Sequence, residues 1–256
     1  MCLTGELPGA LIGPWMPAGP WPGVSDWAER LPAMLERTER DAAEVDGWQR
    51  LKHDAAATVV ATPVGEIEVV IKRPRRTSLR QSTIDLLRQA RTARTWRKTW
   101  RLLTLGLPVE LPLMLAETRR AGYVTDGLLV FARVPGTTLQ KLPLGDIDTP
   151  SRNNLFHRVG QTLRRSADLG LAHIDAKTSN WMVFEAGPGD LRPVMIDCDG
   201  FRRLPRRYVG LRRLTRAMQT HPAIAAGDFE SLKDGFCEAG ADGEAVRLID
   251  AARDAG

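Results

Sequence analysis

The sequence predicts an α+β protein in two lobes, a small β-rich lobe with one helix followed by a mainly helical lobe. Three observations carry this expectation. Paired runs dense in β-branched and aliphatic residues fill much of residues 57–134. The one long helical pattern among them, residues 83–105, has a single apolar stripe opposite an arginine-rich face. Beyond Pro135-Gly136 the patterning turns helical and is interrupted by one hairpin-like stretch, residues 181–197.

The elements follow in order. Residues 1–23 are rich in Pro, Gly and Trp and are expected to be irregular. "SDWAERLPAMLERTERDAAE" then reads as a helix, with Ser25 or Asp26 as its cap and Trp27, Leu31, Met34 and Leu35 as its stripe. Residues 1–44 are assigned as an N-terminal extension, 45–134 as an N-lobe and 135–256 as a C-lobe. "ATVVAT", a turn at Pro63-Val64-Gly65 and "EIEVVIK" form a hairpin. Gly106 and Pro108 stop the arginine-rich helix. "ELPLMLAET" and "DGLLVFARV" give a second strand pair around the turn-like "RRAGYVTDG". "SRNNLFHRVGQTLRRSADLG" is an amphipathic helix closing at Gly170, and everything after "RRLPRRYVGLRRLTRAMQ" reads as mostly helical.

Composition bounds the function. Of 256 residues, 43% are hydrophobic and 26% charged, as in ordinary globular proteins. No apolar run approaches the roughly 18 residues of a membrane span. The opening residues lack a basic n-region, so no secretory signal is expected. Three scattered cysteines without CxxC spacing argue against a disulfide framework or structural zinc, and suggest the cytoplasm. The net charge of +5 and pI of about 9.4 fit either a solvated basic surface or attraction to phosphates. No nucleic-acid recognition motif or interleaved aromatic pattern is present, so a nucleic-acid partner is not expected.

The chemistry concentrates in "HIDAKTSNWMV", residues 173–183. Four polar residues next to an apolar run need a substrate, a metal ion or one another as partners. "WMVFE", the turn "AGPGD" and "LRPVMID" form a hairpin, so antiparallel pairing brings Asn180 beside Asp197. An amide oxygen and a carboxylate at one hairpin end suit Mg²⁺, which keeps positions open for phosphate oxygens. Asp175 lies one short loop away as a candidate acceptor of a hydroxyl proton, and Lys177 as a neutraliser of a migrating phosphoryl group. Base, lysine and two metal ligands are the parts of a kinase catalytic loop. The plainer alternative is a polar loop satisfied by its own hydrogen bonds. His173 is expected to brace the loop against backbone near Asp197; Asp199 is either a further metal or substrate contact or a solvated turn carboxylate. "EVVIK" places Lys72 at the end of a first-lobe strand, matching the V-A-I-K pattern in which lysine holds the α- and β-phosphates.

With those residues in view, the chain resembles the protein-kinase-like superfamily and, more narrowly, the lipopolysaccharide kinase family, which phosphorylates Kdo or heptose sugars of the inner core. The likeness is carried by "VVIKR", "ARTWRKTWRLLTLGLPVELPL", "HIDAKTSNWMV", "VMIDCDGFR" and "GLRRLTRAM", within residues 45–218. It implies a bilobal kinase-like fold with ATP and Mg²⁺ as cofactors. It also implies Asp175 as catalytic base, Lys177 beside it, Asn180 and Asp197 as metal ligands, and Lys72 on the ATP phosphates. Adenine would lie between the lobes against Phe131, Ala132, Arg133 and Val134. The implied acceptor is a sugar or glycolipid at the inner membrane face, where the arginines of residues 202–216 and Trp15, Trp21 and Trp27 would meet anionic headgroups.

The chain departs from the kinase pattern in three places. "LKHDAAATVV" stands where a Gly-rich loop is expected. No glutamate lies between Lys72 and Glu110, so the usual ion pair from the first-lobe helix has no matching residue. There is no A-P-E motif and little chain for an activation segment, which disfavours protein substrates. The alternatives are a pseudokinase acting as a regulatory nucleotide-binding module, or an atypical protein kinase.

Overall fold

A computed structural model describes residues 2–4, 24–39, 47–74, 90–120, 123–203 and 208–255. The expected irregular segment after residue 4, Trp15, Trp21 and residues 83–89 of the arginine-rich helix lie outside the described residues. The described chain forms two compact units. One takes in the residues up to Arg101 together with Glu110–Arg133; the other takes in Leu102–Val109 and the residues from Val134 on.

The first unit is built on a six-stranded antiparallel sheet. Its strands are β1 (Cys2–Thr4), β2 (Gln49–His53), β3 (Ala57–Val64), β4 (Ile67–Pro74), β5 (Pro112–Arg120) and β6 (Tyr123–Ala132), ordered β1-β5-β6-β4-β3-β2. Cys2–Thr4, expected to be irregular, pairs as an edge strand with Met114–Ala116 of β5. The β3–β4 turn is tighter than predicted. Val64 pairs with Ile67, so Gly65-Glu66 makes the turn, with Gly65 at φ 63° where an L side chain would be strained. Ile67, Val69 and Ile71 alternate into the core, and Lys72, next in line, faces the opposite side of the sheet.

Helix α1 (Val24–Glu39) buries Trp27 and Met34. The helix begins at Val24, so Ser25 and Asp26 lie inside it rather than capping it. Trp27 is buried, which removes it from any membrane-facing role. Arg73 of β4 ties α1 down by donating to the Leu35 carbonyl at 2.9 Å while holding Asp126 of β6 through two nitrogens at 3.1 and 2.6 Å. Helix α2 (Arg91–Thr104) puts Ala93 and Trp96 against Leu115, Leu129 and Phe131, with Trp100 packed at the edge. Thr92 donates to the buried Glu117 carboxylate at 2.7 Å, fixing the start of the helix to β5.

The second unit is mainly helical. Helix α3 (Thr149–Asp168) is capped by the Asp148 side chain, which accepts from the Ser151 N–H at 2.9 Å, and it ends as predicted, with Gly170 at φ 68°. Short strands follow: β7 (Thr137–Thr138), β8 (Leu171–His173), β9 (Trp181–Glu185), β10 (Leu191–Met195) and β11 (Phe201–Arg203). β9 and β10 form the expected hairpin, β7 adds to β9, and β8 pairs with β11. Helices α4 (Val209–Gln219), α5 (Ala226–Cys237) and α6 (Gly243–Asp254) complete it. No described helix is long and apolar enough to cross a membrane.

Helices α3 and α5 cross at two glycines. A methyl on Gly160 would stand 2.2 Å from the Leu232 carbonyl oxygen, and one on Gly235 would stand 1.9 Å from that of His157. Both obstacles are backbone and cannot rotate away. Arg152 and the buried Asp228 clamp the same pair of helices, and Arg152 also donates to the carbonyls of Leu144 and Ala223 at 3.0 and 2.7 Å. Gly160→Ala and Gly235→Ala are each expected to lower stability in urea titration by about 2 kcal/mol or more. Gly145→Ala, which meets nothing within 4 Å, should stay within about 0.5 kcal/mol. Equal effects at all three positions would rule out close crossing as the reason for the glycines.

Candidate active site

In the second unit the loop after β8 and the hairpin end are held together by one imidazole. His173 is buried; its Nε2 lies 3.2 Å from the Asp197 carbonyl oxygen, and its Nδ1 lies 3.2 Å from the Asp175 N–H. A carbonyl only accepts, so Nε2 carries the hydrogen; an amide N–H only donates, so Nδ1 accepts. The ring is therefore the neutral Nε2–H tautomer. Burial pushes its pKa below the usual imidazole value, against the pull of the Asp197 and Asp175 charges and of nearby backbone. Phe201 packs edge-on to the ring at 4.8 Å. Gly200 leaves room for it, since a methyl there would be 2.5 Å from Cε1. The predicted bracing role of His173 is what the geometry shows.

From that anchor the loop closes on itself. The Ile174 N–H donates to the Gly200 carbonyl at 3.0 Å, and the Lys177 N–H to that of Asp175 at 2.8 Å. A single 3₁₀ turn, Thr178–Asn180, leads into β9. The Asn180 amide nitrogen donates to the Asp175 carbonyl at 2.7 Å and to its carboxylate at 3.2 Å. Both Asn180 donors are thereby committed, and its buried side chain has the amide oxygen left as an acceptor. The Ile196 N–H donates to the Asn180 carbonyl at 2.9 Å, so Asp197 follows directly from the residue bonded to Asn180. The two predicted metal ligands thus sit at one hairpin end.

Asp197 has the one left-handed backbone among the described non-glycine residues, at φ 59° and ψ 51°. Such a conformation costs on the order of 1 kcal/mol and is best tolerated by Asp or Asn. Its carbonyl accepts from Gly200 and His173 while the residue itself is exposed. Among the described residues no three His, Cys, Asp or Glu side chains gather as a metal site. A hard-oxygen pair of one amide and one carboxylate still fits Mg²⁺, which retains water and takes phosphate oxygens. Asp199 is half-buried on the turn after Asp197, and its carbonyl accepts from Arg202.

Asp175 is pinned on both oxygens. Lys177 meets Oδ2 at 2.9 Å, and Arg213 of α4 meets Oδ1 at 3.2 Å. Burial works to raise this carboxyl, but the two cations outweigh it and hold it below the usual carboxylate range. The group is ionised at neutral pH. Arg213 was missed by the sequence reading as an individual residue, because one arginine in the basic run of residues 202–216 looks like the next.

In the first unit, Lys72 donates to both oxygens of Glu110, at 3.0 and 2.7 Å, and its ammonium stands 4.7 Å over the Phe131 ring. The described helix supplies no acid for this lysine, as expected, and the partner comes instead from the segment that precedes β5. The signal was present in "VELPLML", where a lone glutamate in an apolar run must be paired when buried. Phe131 and Ala132 end β6 with buried side chains, and Arg133 faces Glu68 and Gln49. The N–H groups of Ala132 and Arg133 are spent on the carbonyls of Leu111 and Glu68, both at 2.9 Å. Val134, also buried, begins the main segment of the second unit.

Where a Gly-rich loop was missed in the sequence, the β2–β3 turn is closed by Asp54. Its Oδ1 accepts the N–H groups of Ala56 and Ala57 at 2.8 and 3.0 Å, and Lys52 pairs with it at 2.9 Å. These bonds lower the carboxyl to about 2.

An antiparallel sheet unit and a mainly helical unit make up a mixed α+β, protein-kinase-like fold. Among solved structures the chain is similar to WaaP in complex with acyl carrier protein, with a TM-score of 0.56 and 13% identity over 80% of this chain and 87% of that one. At that identity the likeness is one of fold. No protein-family model matches the chain, and no curated protein matches it.

Two stability measurements test the site's electrostatics. Glu110→Gln is expected to cost about 2 kcal/mol or more in urea titration, because it strands a partly buried ammonium. The Lys72→Met/Glu110→Leu double variant should recover much of that loss, and additive losses would show that the pair does not interact. The second concerns His173, whose folded pKa lies below its unfolded one, so its contribution is complete above about pH 6.5 and drains away as pH falls below that. Wild type should lose stability on acidification faster than His173→Gln, by at most about 1.4 kcal/mol per pH unit. Parallel pH profiles would contradict a buried neutral ring.

Proposed function

We propose that the protein is an ATP- and Mg²⁺-dependent kinase that transfers the γ-phosphoryl group to a hydroxyl of a lipopolysaccharide core sugar, Kdo or heptose, or of a similar glycolipid. The observation that carries this reading is the loop in which Asn180 orients an ionised Asp175 beside Lys177, with Asp197 at the same hairpin end. In this reading Asp175 takes the proton of the acceptor hydroxyl as the new P–O bond forms and the bond to the β-phosphate breaks. Lys177 offsets charge on the phosphoryl oxygens, and Lys72, held by Glu110, meets the α- and β-phosphates. Asn180 Oδ1 and the Asp197 carboxylate would hold Mg²⁺, which when bound neutralises the phosphate oxygens. Phe131 to Val134 would border the adenine. The acceptor would be met at the inner membrane face from the cytoplasm.

One observation favours a second reading, a nucleotide-binding pseudokinase. The N–H groups at the β2–β3 turn, which a Gly-rich loop would aim at phosphates, are occupied by Asp54. ADP release from Mg-ATP with Kdo and heptose acceptors separates the two. Wild type should turn over, and Asp175→Asn should be slower by about a thousandfold; full activity in the variant would remove Asp175 as the base. Mg-ATP should also raise the melting temperature, reflecting about 2.7 kcal/mol at a hundredfold excess over Kd. Stabilisation without turnover would support the pseudokinase, and no stabilisation would defeat both.

A further inference from the structure

Asp175 is served by two cations where neutralisation needs one. Lys177 and Asn180 hold Oδ2, at 2.9 and 3.2 Å. Oδ1 is met by Arg213 alone, through Nε and Nη2 at 3.3 and 3.2 Å. The side chains of Arg213 and Asp175 are 45% and 36% exposed, and an ion pair so exposed adds little to stability. The fold has no need of an arginine there. Its Nη1 makes no hydrogen bond among the described residues. Three residues on, Arg216 is exposed and has no ion pair among the described residues; i,i+3 spacing puts its Cβ about 5–6 Å from that of Arg213. Helix α4 contains no acidic residue. Arg212, by contrast, already has a partner, Glu244 at 3.3 Å.

One guanidinium on a proton-accepting carboxylate, with a second arginine one helical turn along, suits an acceptor that brings its own negative charge, since the planar fork matches carboxylate and phosphate oxygens. We propose that the acceptor is a sugar bearing a carboxylate or phosphate near the reacting hydroxyl, and that Arg213 and Arg216 bind that anion. This rests on the kinase reading and adds the acceptor's charge to it. The arrangement also couples recognition to chemistry. When Arg213 turns to the substrate anion it releases Oδ1, and Oδ1 is then open to the hydroxyl, while Oδ2 keeps Asp175 oriented through Asn180 and Lys177. A neutral sugar has nothing to offer Arg213 in exchange.

The test uses Kdo, its methyl ester and a heptose phosphate as probes in isothermal titration, with and without a Mg-bound non-hydrolysable ATP analogue. Wild type should bind the free acid and the phosphate at least tenfold more tightly than the ester. Arg213→Ala should bring acid and ester within twofold, Arg216→Ala should reduce the preference part-way, Arg213→Lys should keep some of it, and Arg212→Ala should match wild type. Equal binding of acid and ester by wild type, a preference surviving in Arg213→Ala, or binding of none of the probes would overturn the inference. Phosphoryl transfer is read separately by ADP release. Transfer to acid and ester alike would keep the kinase and discard charge recognition; charge preference without transfer would do the reverse.

Discussion

The loop geometry depends on one buried, uncharged imidazole. His173 accepts from the main chain of Asp175 and donates to that of Asp197, so a single rigid ring sets the separation between the loop that presents a carboxylate and the turn that presents another. Protonation would turn Nδ1 into a donor facing an N–H and break one of the two contacts. The environment resists this by burial, and Phe201 and Gly200 shape the slot in which the ring sits. The strained backbone of Asp197 persists because its carbonyl is bonded from two sides.

A similar economy governs the sheet unit. Lys72 is fixed by a glutamate from the segment entering β5 and by the face of Phe131, so its direction is set within that unit by elements hydrogen-bonded to its own strand or one strand away. The β2–β3 turn, closed by Asp54, shows the opposite tendency: backbone donors are satisfied internally instead of being kept for a ligand. Together they place the positive charge of this region in a side chain rather than in a loop.

How much of this was legible in the sequence follows from where the forces act. The hairpin carrying Asn180 and Asp197 was readable because turn residues and alternation fix antiparallel register, and the His173 brace followed from it. The end of α3 was readable because glycine marks a left-handed cap. Glu110 was not assigned, because a partner arriving from a different element leaves no local spacing to detect; its only trace was an acid in an apolar strand. Arg213 was hidden for a related reason, since what singles it out is its contact with Asp175 and not its neighbours in the chain. The start of α1 and the pairing of β1 with a strand far along the chain leave no mark in local propensity.

The contact between Gly200 and His173 has a consequence for descent. The imidazole occupies the volume a methyl group would need, so the two positions can only change in concert: a larger residue at 200 demands a smaller one at 173, and with it the loss of the bridge. The histidine and the glycine thus act as one linked unit of this loop.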